Sequence, residues 1–259
     1  MKVIILAGGL GTRMSEETDS IPKPMVLIDH RPILWHLMNL FAIQGVNEFV
    51  IALGYKGEKI KRWVMDLHDL GGDIHVSLMN GKKKLNVAVS EFDWEISAFD
   101  TGQSTQTGGR IKRCFLEISD EVVIVTYGDG LGNVDIEELL EFHKSHGKIA
   151  TVTAVRPPAR FGNLELDNDE RVTQFGEKNQ LEAGWINGGF FVLNREVLNY
   201  IDGDLSSFEF DVLPVIAIAG ELMAFKHHGF WKPMDTLREK NEFSQLALQS
   251  NPPWLANIL

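Results

Sequence analysis

The chain has 259 residues, 44% of them hydrophobic and 24% charged, enough to bury a full core without disulfide or metal staples. Its 36 acidic against 25 basic residues, a net charge of −11, exclude a broad nucleic-acid surface, because phosphate backbones bind basic faces. A small anion held by local positive charge stays possible, and the single cysteine, Cys114, excludes an internal disulfide and suits a reducing compartment.

The first residues, MKVIIL, form an apolar run of about five that stops at glycines, short of the ~7–15 of a secretory h-region. No stretch approaches the roughly 18 apolar residues of a membrane span, so a cytoplasmic protein without membrane partners is expected. VIIL (3–6) reads as a buried strand. Residues 32–45, PILWHLMNLFAIQG, open with a proline suited to a helix start, repeat apolar residues at helical spacing and stop at Gly45. EFVIAL (48–53) is a second strand and GEKIKRWVMDLHDL (57–70) a second helix.

Residues 72–109 interrupt that alternation. They carry two or three alternating strands and an Asn80-Gly81 hairpin signal, and are expected to form an antiparallel excursion, a candidate assembly arm. VVIVT (122–126) is again a strand and DIEELLEFHKSHG (135–147) a helix with a glycine stop. The block 148–178 mixes strands with turns, 186–201 predicts a strand then a helix, 235–248 is helical, and NPPWLANIL is irregular. Continuous apolar strands alternating with helices predict an α/β fold: a Rossmann-like, mostly parallel sheet flanked by helices, within one domain spanning 1–259.

Four places carry candidate chemistry. LAGGLGTR (6–13) follows the first strand but matches neither G-x-x-x-x-G-K-[ST] nor G-x-G-x-x-G, which would need glycine at Met14. Its glycines let backbone N–H groups converge on a phosphate, and Arg13 adds a planar fork of donors; a plain strand-to-helix turn is the other reading. Lys23, between Pro22 and Pro24, sits on a stiff segment, as a ligand or as a solvated loop lysine. Asp129 in YGDG lies just past a buried strand, where open α/β sheets keep their ligand crevice; a helix expected next argues against the Asp-Gly hairpin alternative. Asp235 stands at the start of the last helix as an N-cap or a site carboxylate, and a capping box on it is incomplete because Arg238 lies three residues on. A carboxylate with substrate phosphates is a common way to hold Mg²⁺. His143 and His146 lack the companions of a metal motif, and Cys114 lacks a partner that would mark a nucleophile.

LAGGLGTRM, PKPM, YGDG, FGEK, INGGFFV and PMDTLREK, in that order, resemble the sugar-1-phosphate nucleotidyltransferases over nearly the whole chain. Within that family, GTRMSEETDSIPKPM, DTGQSTQTGGRIKR, RFGNLELD and FWKPMDTLREK are closest to members that use CTP and glucose 1-phosphate. Thymidylyl and uridylyl members usually carry a proline where SEET stands and lack the TGGR-type segment.

The resemblance implies a nucleotide site from Leu6, Ala7, Gly8, Gly9, Leu10, Gly11, Thr12 and Arg13, with Lys23, Thr105, Arg110 and Gly128. It implies that Arg13, Lys23 and Asp129 are catalytic, that Asp129 and Asp235 hold Mg²⁺, and that Glu177, Lys178, Asn187 and Gly188 meet the sugar phosphate, placing the sugar side within 148–248. The usual E-K-P has become Glu177-Lys178-Asn179, a departure from the family pattern that falls on the sugar side. A homo-oligomer and a product that feeds surface-polysaccharide synthesis are also implied. A non-catalytic nucleotide sensor is disfavoured because the arginine, the lysine and both aspartates are present. A sugar-consuming glycosyltransferase is disfavoured because Gly128-Asp129-Gly130 is not an Asp-x-Asp motif.

Overall fold

The protein is represented by a computed structural model that describes residues 1–9, 11, 14–69, 73–77, 82–86, 93–157, 163–166, 170–176, 184–256 and 258. In chain order the first elements are β1 (Lys2–Ala7), α1 (Ser15–Thr18), β2 (Leu27–Ile28), β3 (Arg31–Pro32), α2 (Ile33–Ile43), β4 (Glu48–Leu53), α3 (Gly57–Asp69), β5 (Asp73–Ser77), β6 (Lys82–Asn86) and β7 (Glu95–Asp100). There follow α4 (Thr107–Leu116), β8 (Val122–Tyr127), β9 (Gly130–Gly132), α5 (Ile136–His146), β10 (Ala150–Val155), β11 (Asn163–Leu166), β12 (Val172–Gly176) and β13 (Ile186–Asn194). The last are α6 (Leu213–Ile218), β14 (Leu222–Lys226), β15 (Trp231–Pro233) and α7 (Leu237–Ala247).

Seven strands form one sheet in the order β14-β10-β13-β8-β1-β4-β7. β7, β4, β1 and β8 run parallel, β13 is antiparallel to both β8 and β10, and β14 is parallel to β10. The continuous apolar runs arise because both faces are covered. Along β1, Val3, Ile5 and Ala7 enter the core shared with α2, α5 and α7, whereas Ile4 and Leu6 enter a second core with Ile111 and Phe115 of α4 and Ile216 of α6. No helix of the described residues is long and apolar enough to cross a membrane.

Local signals explain the helix ends. Pro32 precedes α2, and the chain leaves that helix at Gly45 with φ +80°, a conformation that glycine adopts without steric cost. Asp135 caps α5 by accepting from the Glu138 N–H, and Gly147 closes it in the left-handed region. His143 ties α5 to the sheet through Thr151 Oγ1 at 2.8 Å and Asn194 Oδ1 at 2.9 Å, which settles its role as structural. Trp254, in the irregular tail, is 1% exposed and closes the first core against His36 and Phe243.

Three expectations are corrected. The antiparallel excursion is present as β5 paired with β6, but it is shorter than 72–109: β7 joins the main sheet parallel to β4, and Thr107 opens α4. The Asn80-Gly81 signal lies outside the described residues. Gly108 and Gly109 let α4 touch another backbone segment: a Cβ on Gly108 would lie 2.7 Å from Ser206 O, and one on Gly109 2.6 Å from Asp204 Cα. Asp129-Gly130 leads not into a helix but into β9, which pairs antiparallel with β15. After β13 the chain makes a 3₁₀ segment, Arg195–Tyr200, rather than an α-helix.

Candidate active site

β1 and β8 are neighbours, yet the chain leaves β1 toward β4 and β7 on one side and only then crosses to β8 on the other, so strand order reverses between them. Their C-terminal ends open a crevice there, the usual ligand position in such sheets. A cavity of about 550 Å³ fills it, lined by Leu6, Ala7, Gly8, Gly9, Gly11, Lys23, Thr105, Arg110 and Asp129. The candidate residues Leu10, Thr12, Arg13, Glu177 and Lys178 lie outside the described residues.

The glycine loop is held from behind. Arg110 projects from α4, 5% exposed, and its guanidinium donates to Leu53 O at 2.9 Å, Gly102 O at 2.8 Å, Thr101 Oγ1 at 2.7 Å and Gly8 O at 3.2 Å. A Cβ on Gly8 would sit 2.3 Å from Arg110 Cζ, and one on Gly54 2.4 Å from its Nη1, so both glycines make room for this side chain. Burial pulls the Arg110 pKa down, although guanidinium stays charged at any working pH. Gly11 has φ +64° with Thr18 Cγ2 2.9 Å from where a Cβ would be, and Thr18 Oγ1 donates to Gly11 O at 3.0 Å. Through Lys240, which pairs with Glu17, the SEET segment is tied to α7.

Lys23 opens a 3₁₀ turn, Lys23–Met25, between the two prolines. Its side chain is 9% exposed, and Nζ lies 2.6 Å from Asp129 Oδ2 and 2.7 Å from Asp235 Oδ1. Burial pulls the ammonium's pKa down, but the two carboxylates more than reverse this and hold it above its ordinary value. β9 and β15 bring the two aspartates together, and Met234 N–H donates to Asp129 O at 2.8 Å. Asp235 is not the helix cap. Thr236 caps α7 and Glu239 completes a capping box, so the Asp235 side chain is left to face Lys23. Gly128 passes close under Pro24, its N–H donating to Leu6 O at 3.0 Å.

Two carboxylate oxygens converging on one cation are a hard-oxygen donor set of the kind Mg²⁺ takes, with positions left for water and phosphate oxygens. Among the described residues no group of three or more His, Cys, Asp or Glu could hold a metal ion, so Asp129 and Asp235 would act together with substrate.

The nucleotidyl transferase family profile matches residues 2–236. The chain belongs to the nucleotidyl transferase family. It is 45% identical to the glucose-1-phosphate cytidylyltransferase of Salmonella typhi, over 98% of each chain. Mannose-1-phosphate guanylyltransferase 1 of Arabidopsis thaliana is 31% identical, across 100% of this chain and 71% of that one. Among solved structures, HddC from Yersinia pseudotuberculosis superposes with a TM-score of 0.70 at 26% identity, covering 94% of this chain and 98% of that one. The same protein complexed with GMP-PN gives a TM-score of 0.67.

In this nucleotidyl transferase the cavity has further walls that motif reasoning did not single out. Gln103, Ser104, Gln106 and Thr107 line it from the start of α4, and Tyr127 lines it from the end of β8. Asn187 and Gly188 of β13 are not part of that lining; Asn187 reaches it through a neighbour, its Nδ2 donating to Tyr127 OH at 3.3 Å, whereas Gly188 O accepts from Trp231 Nε1 at 2.7 Å, outside the lining. Cys114 is fully buried in the second core, its thiol pushed up to about 12 by burial, which leaves it no reactive role.

Proposed function

We propose that the chain transfers a cytidylyl group from CTP to α-D-glucose 1-phosphate, giving CDP-glucose and pyrophosphate. The observation that carries transfer chemistry is the convergence of Lys23, Asp129 and Asp235 at the mouth of a glycine-walled cavity. The cytidine and glucose halves are supported by the 45% identical relative, which is a glucose-1-phosphate cytidylyltransferase. Nucleotide binding by the HddC structure complexed with GMP-PN supports the cavity as the nucleotide site.

A phosphate monoester has its second pKa near ~6, so the attacking oxygen of the sugar phosphate is ionised at neutral pH and needs no general base. The task left to the protein is to bring two anions together in line and to stabilise the charge that develops. In this reading the N–H groups of the Gly8–Gly11 loop cradle the nucleotide phosphates, and Arg110 keeps that loop in place from behind. Lys23 places its ammonium against the α-phosphate, and Arg13 adds a second positive group. Asp129 and Asp235 hold Mg²⁺, which when bound screens the phosphate charge and orients the leaving pyrophosphate. Glu177, Lys178, Asn187 and Gly188 take the sugar phosphate. A cytoplasmic homo-oligomer with the β5–β6 pair as assembly arm, and a product used for surface polysaccharide, belong to the same proposal.

The test is pyrophosphate release over a matrix of nucleoside triphosphates and sugar 1-phosphates with Mg²⁺. CTP with glucose 1-phosphate is expected to dominate. A strong preference for UTP or dTTP, or sugar transfer without pyrophosphate release, overturns the reading.

A further inference from the structure

Tyr127 ends β8 at the cavity, and Glu209 lies behind it on the π-helical turn Phe208–Val212. π turns inside helical segments are frequent at functional sites. The Glu209 carboxylate accepts from three hydroxyls: Tyr127 OH on Oε1, and Thr107 Oγ1 at 2.5 Å and Ser207 Oγ at 3.1 Å on Oε2. Thr107 Oγ1 in turn accepts from the Phe208 N–H at 2.8 Å, which holds the turn against the start of α4.

The hydrogen bonds determine where every proton in this chain of groups lies. Gly189 N–H donates to Asn187 Oδ1 at 2.8 Å, so the amide nitrogen of Asn187 is the atom that faces Tyr127. An amide nitrogen only donates, so the Tyr127 oxygen must accept from it and send its own proton to Glu209. Burial, then the charge of Glu209, pushes the Tyr127 pKa upward, so the phenol keeps that proton. The second lone pair of the Tyr127 oxygen and the second Nδ2 hydrogen of Asn187 have no partner among the described residues. An acceptor and a donor thus stand side by side, with fixed polarity, where the nucleotide cavity meets β13. The backbone keeps the ring there: Gly189 has φ +78°, and a Cβ on it would lie 2.6 Å from Tyr127 Cδ2.

We infer that Tyr127 and Asn187 together read the sugar hydroxyls, one hydroxyl donating to the Tyr127 oxygen and a neighbouring one accepting from Asn187 Nδ2. Glu209 is the positioning residue that sets their polarity. The inference rests on the sugar 1-phosphate reading above and adds to it Tyr127 and Glu209. With Glu209 in place, Tyr127 is an acceptor toward the cavity. Without it, the phenol proton is free to turn toward the ligand, and the match to a donating hydroxyl is lost.

The test measures steady-state constants for Tyr127→Phe, Glu209→Ala and Glu209→Gln with CTP, glucose 1-phosphate and its 2-, 3-, 4- and 6-deoxy analogues. Tyr127→Phe and Glu209→Ala are expected to raise KM for glucose 1-phosphate roughly ten-fold, the size of one hydrogen bond, and to leave KM for CTP within about two-fold. Glu209→Gln, whose amide oxygen still accepts from the phenol, is expected to restore most of that loss. One deoxy analogue is expected to lose affinity in the wild-type enzyme and to lose nothing further in Tyr127→Phe. Additive losses for all four analogues, or an equal rise in KM for CTP, overturn the inference. Should Tyr127→Phe fold poorly, Glu209→Gln against Glu209→Ala decides on the same readouts. Wild-type inactivity on CTP and glucose 1-phosphate is a separate result, which removes the underlying reading.

Discussion

Lys23 Nζ lies 2.6 Å from Asp129 Oδ2, although 106 residues separate them in the chain. The same ammonium reaches Asp235 Oδ1 at 2.7 Å, across 212 residues. One lysine therefore pairs with both carboxylates that would hold a divalent ion and offsets only part of their charge. Replacing it by a neutral side chain of similar length leaves two carboxylates facing each other. Lys23→Met is expected to cost about 2 kcal/mol of stability, below the ~3–5 of a fully buried pair because the Asp129 side chain is 34% exposed. Millimolar Mg²⁺ is expected to raise the Tm of the variant more than that of the wild type, which calorimetry with and without the ion would show. Activity is expected to fall at least ~100-fold in kcat/KM, roughly 2.7 kcal/mol, in Lys23→Met and in Asp129→Ala alike.

Arg110 is a different kind of cation. Its Nη1 and Nη2 atoms donate to carbonyls and a hydroxyl around the glycine loop, so it holds the wall of the cavity that it also lines. Arg110→Gln strands several buried acceptors, and chemical denaturation is expected to show a loss of about 3 kcal/mol. KM for CTP is expected to rise at least ~10-fold as the loop loosens. Arg110→Lys should recover little, because a point ammonium cannot span acceptors that the planar fork reaches at once.

Two glycines with nearly equal φ allow a controlled comparison. Gly45 has φ +80° and open space around its missing Cβ, whereas Gly189 has φ +78° and the Tyr127 ring in the way. Gly45→Ala is expected to cost only the left-handed strain, about 1 kcal/mol, and to leave kinetics unchanged. Gly189→Ala should cost more and also raise KM for glucose 1-phosphate, because Tyr127 has to move. Equal stability losses with unchanged kinetics in both variants would falsify this account of β13.

Burial holds the pKa of His143, His36 and His227 below the ordinary histidine value. The unfolded chain then binds protons that the folded one refuses, so stability is complete above ~6.5 and declines as pH falls through that value. Tm measured from pH 8 to 5 is expected to drop below pH ~6.5. His143→Gln should be less stable at pH 8, where it loses the bridge between Thr151 and Asn194, yet show a shallower acid slope.

Much of this architecture could be read before any coordinates. β1, β4 and β8 announce themselves as continuous apolar runs, and α2, α3 and α5 as amphipathic stretches with punctuated ends, because strand burial and helix capping are local properties. α4 was hidden because paired glycines weaken a helical signal, and these answer to Asp204 and Ser206, a distant segment. β7 looked antiparallel because an edge strand, part-exposed along its length, lacks the continuous apolar run that marks a buried parallel strand. The cap of α7 was legible as T-x-x-E in TLRE; reading it one residue early, at Asp235, obscured why that aspartate is left for Lys23. Tyr127 stood inside the YGDG motif, where only Gly128 and Asp129 were assigned roles, and Glu209 had no signal at all, since a lone glutamate carries none.

Sequence alone determined the inventory: a flexible glycine loop after a buried strand, a stiffened lysine, an aspartate beyond a second strand and another before the last helix. These follow from backbone sterics and hydrophobic patterning over a few residues. Only the tertiary structure decided that the lysine lies between the two aspartates and that Arg110 faces the loop carbonyls rather than solvent. Sheet order is set by which long-range strand pairs bury the most apolar surface. The adjacency of β1 and β8, which brings these charges to one crevice, therefore appears only once the chain has folded.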